Sequence, residues 1–254
     1  MIIRKSRQEI EAMARGGKVV AGCLSLLEES LQPGITTAEL DAVAEDYIRS
    51  HGGVPTFKGY RGYPAATCLS PNDVVVHGIP NGYALREGDI LSVDVGVTLD
   101  GFVADSAWTF AVGEISREAQ RLLDVCQAAL AAGIEQARAN HVVGDISAAV
   151  QGRTEEAGFG VIRSLVGHGV GRSMHEDPQV PNFVSSYRGP ELREGMTLAI
   201  EPMITSGSPE VFIHADEWSI STVDGSLAAH FEHTVAVTEE GPRVLTTAAP
   251  VLVP

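Results

Sequence analysis

The feature that most constrains the fold is a ten-residue unit that occurs twice. Leu85–Asp94 reads LREGDILSVD, and Leu192–Glu201 reads LREGMTLAIE. Both units open with LREG, continue into an apolar run with the composition of a strand, and end on a carboxylate. A carboxylate in such a run is costly to bury unless something pairs with it. Two of them at equivalent positions indicate a duplicated fold whose halves share an acidic site.

The first unit continues into a predicted β-hairpin. Asp100 and Gly101 stand between two apolar runs, and both residue types adopt the positive φ angles of a two-residue hairpin turn. With this turn, Asp105 pairs with Gly96, which shares a face with Asp94. The two carboxylates are then diagonal neighbours about 7–8 Å apart. Such a pair repels when empty and suits one or two cations held between its members.

The elements around the repeat also occur twice. Amphipathic helical patterns cover 6–31 and open again at Thr36, and a second pair covers 116–139 and 144–158. Strand patterns with one repeat unit follow each pair of helices. We therefore predict an α/β fold in a single domain, residues 1–254, with pseudo-two-fold halves of about 1–113 and 114–254 around a central antiparallel sheet. The two repeat strands should meet at the pseudo-axis, so that Asp94 faces Glu201.

The second half predicts further members of the site. Glu232, on a strand predicted over 231–237, is the counterpart of Asp105. A strand predicted over 159–166 leads to His168, whose glycine neighbours allow close approach, and which is the best candidate for a fifth ligand. Four buried carboxylates require cations, and two divalent ions would balance them. Residues 205–226, which include Trp218, are an insertion relative to the first half and are expected to form a pocket wall.

Other readings of the same residues stay open at this point. The glycines around His168 follow the spacing GxGxG, which differs from the GxGxxG of a dinucleotide-binding loop. His230 shares the face of Glu232 and is a weaker ligand candidate, whereas His233 points to the opposite face. His77 and His175 lie in turns that flank the metal strands in equivalent halves.

Composition limits the classes of partner. The chain carries a formal net charge of −15, and 44% of its residues are hydrophobic. Because phosphate binding depends on Lys and Arg, direct nucleic-acid binding is not expected. The first residues turn charged too early for a signal peptide, and no apolar run has membrane-spanning length. With three scattered cysteines, these features predict a soluble cytoplasmic protein that does not bind membranes.

Taken together, the motifs resemble those of the type I methionine aminopeptidases. The resemblance rests on LREGDILSVDV with the hairpin DGFxxD, on GHGVGRxxHExP, on AIEP and on FEHTV, which cover nearly the whole chain. It implies the pita-bread fold, which agrees with the duplication. It also implies an enzyme that removes the N-terminal methionine from nascent proteins and peptides whose second residue is small.

The resemblance also implies the site residues. Two divalent ions (Mn, Fe(II), Co or Zn, with the identity open) would be held by Asp94, Asp105, His168, Glu201 and Glu232. A hydroxide between the ions would attack the first peptide bond, with Glu201 handling its proton. His77 and His175 correspond to histidines that contact the substrate. The methionine pocket would be lined by Tyr60, Tyr63, Cys68, Met174 and Trp218.

The chain departs from the family pattern at two pocket positions, and two alternative functions stay open. Met174 stands where the family often has Phe, and Phe57 where bacterial members often have Cys. Proline-specific peptidases use the same five ligands, usually with an extra N-terminal domain that is not expected here. A non-catalytic peptide-binding member would have lost ligands. The expected partner is the N-terminal Met of nascent polypeptides near the ribosome, and nothing requires more than a monomer.

Overall fold

The computed structural model describes residues 1–247 and 251–252. Its helices are α1 (Arg7–Ser30), α2 (Thr37–Ser50), α3 (Arg117–Glu135) and α4 (Val143–Glu156), with a 3₁₀ turn at Tyr60–Gly62. Its strands are β1 (Val54–Pro55), β2 (Cys68–Pro71), β3 (Val74–Val76), β4 (Ile90–Leu99), β5 (Phe102–Ala111), β6 (Gly160–Val161), β7 (Val166–Gly169), β8 (Glu176–Pro181), β9 (Thr197–Ile200), β10 (Met203–Thr205), β11 (Val211–Ile213), β12 (Ile220–Thr222), β13 (Ala228–His230), β14 (His233–Thr238), β15 (Gly241–Val244) and β16 (Val251–Leu252). Among these residues, no helix is long and apolar enough to cross a bilayer.

The helix starts follow from local side-chain chemistry. At α2, the Thr36 hydroxyl accepts from the Glu39 amide, and the Glu39 carboxylate accepts from the Thr36 amide at 2.8 Å. Ser6 and Glu9 form the same pair at α1. The fourth helix begins at Val143, one residue earlier than predicted. The reason is that the Asp145 carboxylate accepts a hydrogen bond from the Val142 amide and so caps the helix there.

The predicted hairpin is confirmed. Asp100 and Gly101 have φ angles of 52° and 77°, so both occupy the left-handed region that the turn requires. Between β4 and β5, Gly96 pairs with Asp105, and Asp94 pairs with Ala107. The Asp-Gly turn therefore fixes which residues of the hairpin share a face.

Two larger sheets and two small ones carry the strands. β4 lies between β2 and β5 in a four-stranded sheet that also contains β1, and β9 lies in a six-stranded sheet of order β16-β15-β14-β9-β7-β8. The small sheets have the orders β13-β10-β6 and β11-β12-β3. Helices α1 and α2 pack on β4, and α3 and α4 cover the second half, with buried leucine, isoleucine and valine side chains at both contacts. Each fully buried side chain of this kind contributes about 1.5–3 kcal/mol.

The halves meet through β5 and β14 rather than through the two repeat strands. The Thr234 hydroxyl accepts from the Asp105 amide at 3.0 Å and donates to the Asp105 carbonyl at 2.8 Å. The Thr109 hydroxyl does the same for His230, at 3.0 and 2.8 Å. The repeat strands β4 and β9 do not pair with each other, because each already pairs with a strand on both sides.

Two predicted strands differ from the observed ones. The segment 159–166 contains β6 and the first residue of β7, which belong to different sheets: Val161 pairs with Ile204 in one, and Val166 pairs with Pro181 in another. The segment 231–237 begins as a strand only at 233. Glu232 lies between β13 and β14, and its amide donates to a carbonyl of β5 at 2.8 Å. The insertion 205–226 forms β11 and β12, and β12 pairs with β3.

Candidate metal centre

The structure brings the five predicted ligands into one cavity. The cavity has a volume of about 290 Å³, and its lining includes Asp94, Asp105, His168, Glu201 and Glu232. Asp94 lies within β4 and Glu201 directly follows β9, whereas Asp105 and Glu232 lie at the junction of the halves. Asp105 and Glu232 are each only 2% exposed. The fold thus collects acidic groups from distant parts of the chain at one buried place.

The tightest group of potential ligands spans both halves. Ligand atoms of Asp105, His168 and Glu232 all lie within 4.8 Å of one another. The His168 Nε2 atom is 3.4 Å from Glu201 Oε1 and 4.0 Å from Asp105 Oδ2. The His168 Nδ1 atom donates to the Gly169 carbonyl at 2.9 Å, which leaves the Nε2 lone pair directed to the carboxylates. This is the tautomer in which an imidazole coordinates an ion.

The charges of the site are unbalanced. Burial raises the pKa of Asp94 to about 7. Burial first, and the negative charge of neighbouring carboxylates second, raise the pKa values of Asp105, Glu201 and Glu232 well above their usual range. The four groups therefore hold protons at pH values where isolated carboxylates have lost them, unless a cation replaces those protons.

Unpartnered oxygen atoms test whether these residues fit a metal. Buried Oδ1 atoms of Asp94 and Asp105, and Oε1 of Glu232, have no hydrogen-bond partner among the described residues. Buried carboxylate oxygens without donors are costly. Carboxylates with one imidazole are ligands that Mn²⁺, Fe²⁺, Co²⁺ and Zn²⁺ accept. The donor set and its unpartnered atoms fit divalent ions.

The two predicted substrate histidines border the same cavity. The His175 ring lies 4.2 Å from the His168 ring, and its Nδ1 is 2.8 Å from the Tyr60 hydroxyl. His77 has a φ angle of 59°, and its ring lies 6.3 Å from the Trp218 ring. Burial, with a smaller contribution from the charge of His175, lowers the pKa of His77 to about 4, so this ring is neutral at pH 7.

The predicted apolar pocket residues form one wall of the cavity. Tyr63, Cys68, Met174 and Trp218 are among its lining residues. The Tyr63 hydroxyl lies 3.0 Å from the Thr67 and Gly78 carbonyls, so it is satisfied by the backbone while its ring packs 5.1 Å from the Trp218 ring. Burial raises the pKa of the Cys68 thiol well above its usual value, which makes it a neutral, apolar group.

Several lining residues escaped the sequence analysis. They include Arg61, Val76, Leu165 and Met203. The last three are apolar residues in or beside strands, which the sequence does not distinguish from other core residues. His230 was predicted only as a weaker candidate, yet its Nε2 lies 3.7 Å from Glu201 and 3.9 Å from Glu232.

A buried group of carboxylates and an imidazole, beside an apolar pocket on an internally duplicated α/β framework, is the kind of site that holds divalent ions in metal-dependent hydrolases. Residues 11–239 match the family described as "Metallopeptidase family M24". The chain belongs to this family of metallopeptidases, and its fold is the pita-bread fold, as predicted.

Similar proteins cover nearly the whole chain. The methionine aminopeptidase of Clostridium perfringens is 49% identical over 246 residues, which is 97% of this chain and 99% of that protein. Methionine aminopeptidase 1 of Bacillus subtilis is 46% identical over 246 residues, again 97% and 99%. The crystal structure of the methionine aminopeptidase from Thermotoga maritima superimposes with a TM-score of 0.95 at 44% identity, over 97% of this chain and 100% of that one.

A second group of structures shares the fold alone. Prolidase from Pyrococcus furiosus superimposes with a TM-score of 0.80 at 21% identity, and the match covers 97% of this chain but 66% of the prolidase. The metallopeptidase class therefore follows from the family, whereas the substrate requires a separate argument.

Proposed function

We propose that this chain is a methionine aminopeptidase that removes an N-terminal Met followed by a small residue. The observation that carries the proposal is the position of the buried carboxylates next to an apolar pocket with Met174, Cys68 and aromatic rings. A thioether side chain packs well against aromatic rings and soft sulfur groups. The names of the similar proteins support the same substrate.

The proposed metal ligands are Asp94, Asp105, His168, Glu201 and Glu232, with two divalent ions as the proposed content. Bound there, the ions would polarise the first peptide carbonyl and lower the pKa of a water molecule. In this proposal the Glu201 carboxylate, which lines the cavity, takes a proton from that water and passes it to the leaving amine. The other three carboxylates stay ionised while Glu201 transfers the proton.

His175 and His77 are the proposed substrate contacts. The Tyr60 hydroxyl at His175 Nδ1 holds the ring and favours the proton on Nε2, from which His175 can donate to the carbonyl oxygen as negative charge develops there. His77 lies beside Trp218 in the lining of the same cavity, and in this proposal it contacts the next amide of the substrate. Tyr60, Tyr63, Cys68, Met174 and Trp218 bind the methionine side chain in this proposal.

A peptide panel tests the substrate. Met-Ala-Ser, Leu-Ala-Ser, Met-Leu-Ser and Ala-Pro-Ser are incubated with the metal-free protein and with protein reloaded separately with Mn²⁺, Fe²⁺, Co²⁺ or Zn²⁺. Release of Met from Met-Ala-Ser alone, and only in a reloaded protein, is the expected result. Preferential cleavage before proline would replace the proposal with a proline-specific peptidase. Binding without turnover for every peptide and ion would indicate a non-catalytic member.

The cellular setting is part of the proposal. We propose a cytoplasmic monomer with a single catalytic domain that acts on nascent polypeptides near the ribosome, without binding nucleic acid itself. The net charge of −15 supports the last point, because an acidic surface repels RNA. Sedimentation of the purified chain, alone and with ribosomes carrying a nascent chain, measures both its mass and its association.

A further inference from the structure

We propose that His230 is a positioning residue of the metal centre, whose Nε2–H holds the Glu201 carboxylate in the orientation that binds a divalent ion. The inference rests on the proposed function, since it assigns a role within the same centre. His230 is not among the five proposed ligands, and its role differs from theirs: it would contact a ligand and leave the ion alone.

The first observation is an unpartnered nitrogen inside the site. His230 is 2% exposed, and its Nε2 has no hydrogen-bond partner among the described residues. That atom lies 3.7 Å from Glu201 Oε2 and 3.9 Å from Glu232 Oε2. A buried nitrogen without a partner is costly. In the ionised form that binds a cation, both nearest groups are acceptors, so the arrangement favours a proton on Nε2.

The second observation is that the framework fixes His230 independently of the carboxylates. The Thr109 hydroxyl bonds both the amide and the carbonyl of His230, at 3.0 and 2.8 Å, and Ser92 Oγ lies 2.8 Å from the same hydroxyl. On the other side, His230 pairs with Met203 in the sheet of β10 and β13. The backbone of His230 is therefore a fixed point, against which the Glu201 side chain can be oriented.

Comparison with His168 separates a ligand from a positioning residue. The His168 Nδ1–H donates to a carbonyl and leaves Nε2 free for an ion. His230 presents Nε2 to two carboxylates, and a nitrogen that carries a proton cannot coordinate. A rotation of Glu201 that shortens 3.7 Å to about 3 Å completes the hydrogen bond. Residues that orient ligands in this way typically change metal affinity by about 10–100-fold when removed.

The test is a titration of the metal-free protein with Co²⁺ alone, followed by calorimetry and visible absorption, which reports the ligands of the ion. His230→Leu removes the donor, and we expect a Kd for Co²⁺ about 10–100-fold higher than that of the wild type. His230→Gln retains an N–H donor, and we expect it to restore most of the affinity. The absorption spectrum at saturation should be the same in all three proteins, because the ligands are unchanged.

The matched control is His141→Leu. His141 also has a buried ring nitrogen without a hydrogen-bond partner among the described residues, but it does not line the cavity. Its replacement should leave the Kd for Co²⁺ unchanged, which separates loss of a site contact from the general effect of removing a half-buried imidazole.

Each contrary result has a distinct meaning. Wild-type affinity in His230→Leu, or equal weakness of the Leu and Gln variants, would overturn the donor role. A changed saturated spectrum in both variants would overturn it in favour of direct coordination. A wild-type protein that binds no Co²⁺ would overturn the inference together with the proposed metal centre. Normal Co²⁺ binding without cleavage of Met-Ala-Ser would remove the proposed activity and leave the role of His230 standing.

Discussion

Single atoms decide the chemistry of this site. Oδ1 of Asp105 and Oε1 of Glu232 are buried and have no donor among the described residues, so each costs stability until a cation binds. The negative charge of Asp105 also contributes to the raised pKa of Glu201. Removing a charge here should therefore have opposite effects on ion binding and on the stability of the metal-free protein.

We expect Asp105→Asn to abolish tight binding of two divalent ions and to raise the melting temperature of the metal-free protein. Elemental analysis after dialysis measures the first effect, and calorimetry with a chelator present measures the second. Asp46→Asn, which changes an exposed aspartate, is the control and should alter neither. Two tightly bound ions in the Asp105 variant, or in Glu232→Ala, would mean that these residues are not ligands of the two ions.

His175→Ala should lower turnover of Met-Ala-Ser by about 10²–10³-fold without changing the metal content, because one hydrogen-bond donor to the developing negative charge is lost. Initial rates and elemental analysis are measured on the same sample. His51→Ala serves as the control, since His51 stacks on Tyr47 at the end of α2 and does not line the cavity. Normal turnover would exclude His175 from the reaction, and lost metal would place it among the ligands.

At the scale of the element, a buried ion pair holds the segment that carries His175. Lys5 Nζ lies 2.5 Å from Glu176 Oε2, and the two side chains are 3% and 6% exposed. The other oxygen of Glu176 accepts from the amides of Arg172 and Ser173. The chain before α1 is thereby fixed to the turn between β7 and β8, although neither Lys5 nor Glu176 lines the cavity.

Lys5→Met should destabilise the fold by about 3–5 kcal/mol, because it leaves the Glu176 carboxylate buried without its partner. Turnover should fall as well, since Glu176 adjoins His175. Urea unfolding and steady-state kinetics measure the two effects. The double variant Lys5→Met/Glu176→Gln should recover part of the stability. Arg7→Met, which removes an exposed pair with Glu239 at 3.7 Å, is the control with little expected effect. Little loss in Lys5→Met would contradict this prediction.

Gly96→Ala should raise the KM for Met-Ala-Ser and leave the metal content unchanged. A Cβ atom at residue 96 would lie 3.3 Å from both Met174 Cε and Phe57 Cζ, and so would push these side chains into the pocket. Kinetics with the metal-loaded protein provide the measurement. Gly152→Ala on α4 is the matched control, because no atom lies within 4 Å of its added Cβ. An unchanged KM would show that Met174 and Phe57 accommodate the added methyl group without altering the pocket.

The elements also show how far the sequence could predict the structure. The hairpin register and the helix caps depend on neighbours a few residues away, such as Asp100 with Gly101 and Thr36 with Glu39, so they were predicted correctly. The breaks at 162–165 and 231–232 depend on pairing with strands that are distant in the chain. For the same reason, the short distance between His230 and Glu201 could not be predicted from the way side chains alternate between the two faces of a single strand.

At the scale of the whole molecule, buried groups of both signs couple stability to pH. The pKa of Asp94 in the folded protein is about 7, above the ordinary 3.8. Its contribution to the free energy of unfolding is therefore present at low pH and is lost as the pH rises through 7. The histidines act in the opposite direction. The pKa of His168 in the folded protein is about 4 and that of His230 is about 3, so stability rises with pH until the pH reaches their ordinary pKa of 6.5. Above pH 6.5 only the carboxylate effect is left among these groups.

We therefore expect the metal-free protein to lose stability between pH 6.5 and 8, by about 1.4 kcal/mol per pH unit for each carboxyl group that still holds its proton. Saturation with a divalent ion should reduce or reverse this slope, because the ion stabilises the ionised carboxylates. Chemical unfolding at a series of pH values measures the slope with and without the ion. Asp94→Asn should flatten it. A metal-free protein whose stability rises from pH 6.5 to 8 would contradict the prediction.

The junction of β5 with β14 also determines when an ion can enter the molecule during synthesis. The β4–β5 hairpin closes over two residues and can form as soon as it leaves the ribosome, whereas Asp105 and Thr234 are separated by 129 positions. Of the proposed ligands, Glu232 is the last to be translated. If the proposed ligands are correct, the ion-binding group is complete only after Glu232 has been made, and loading with metal then follows synthesis of both halves of the site.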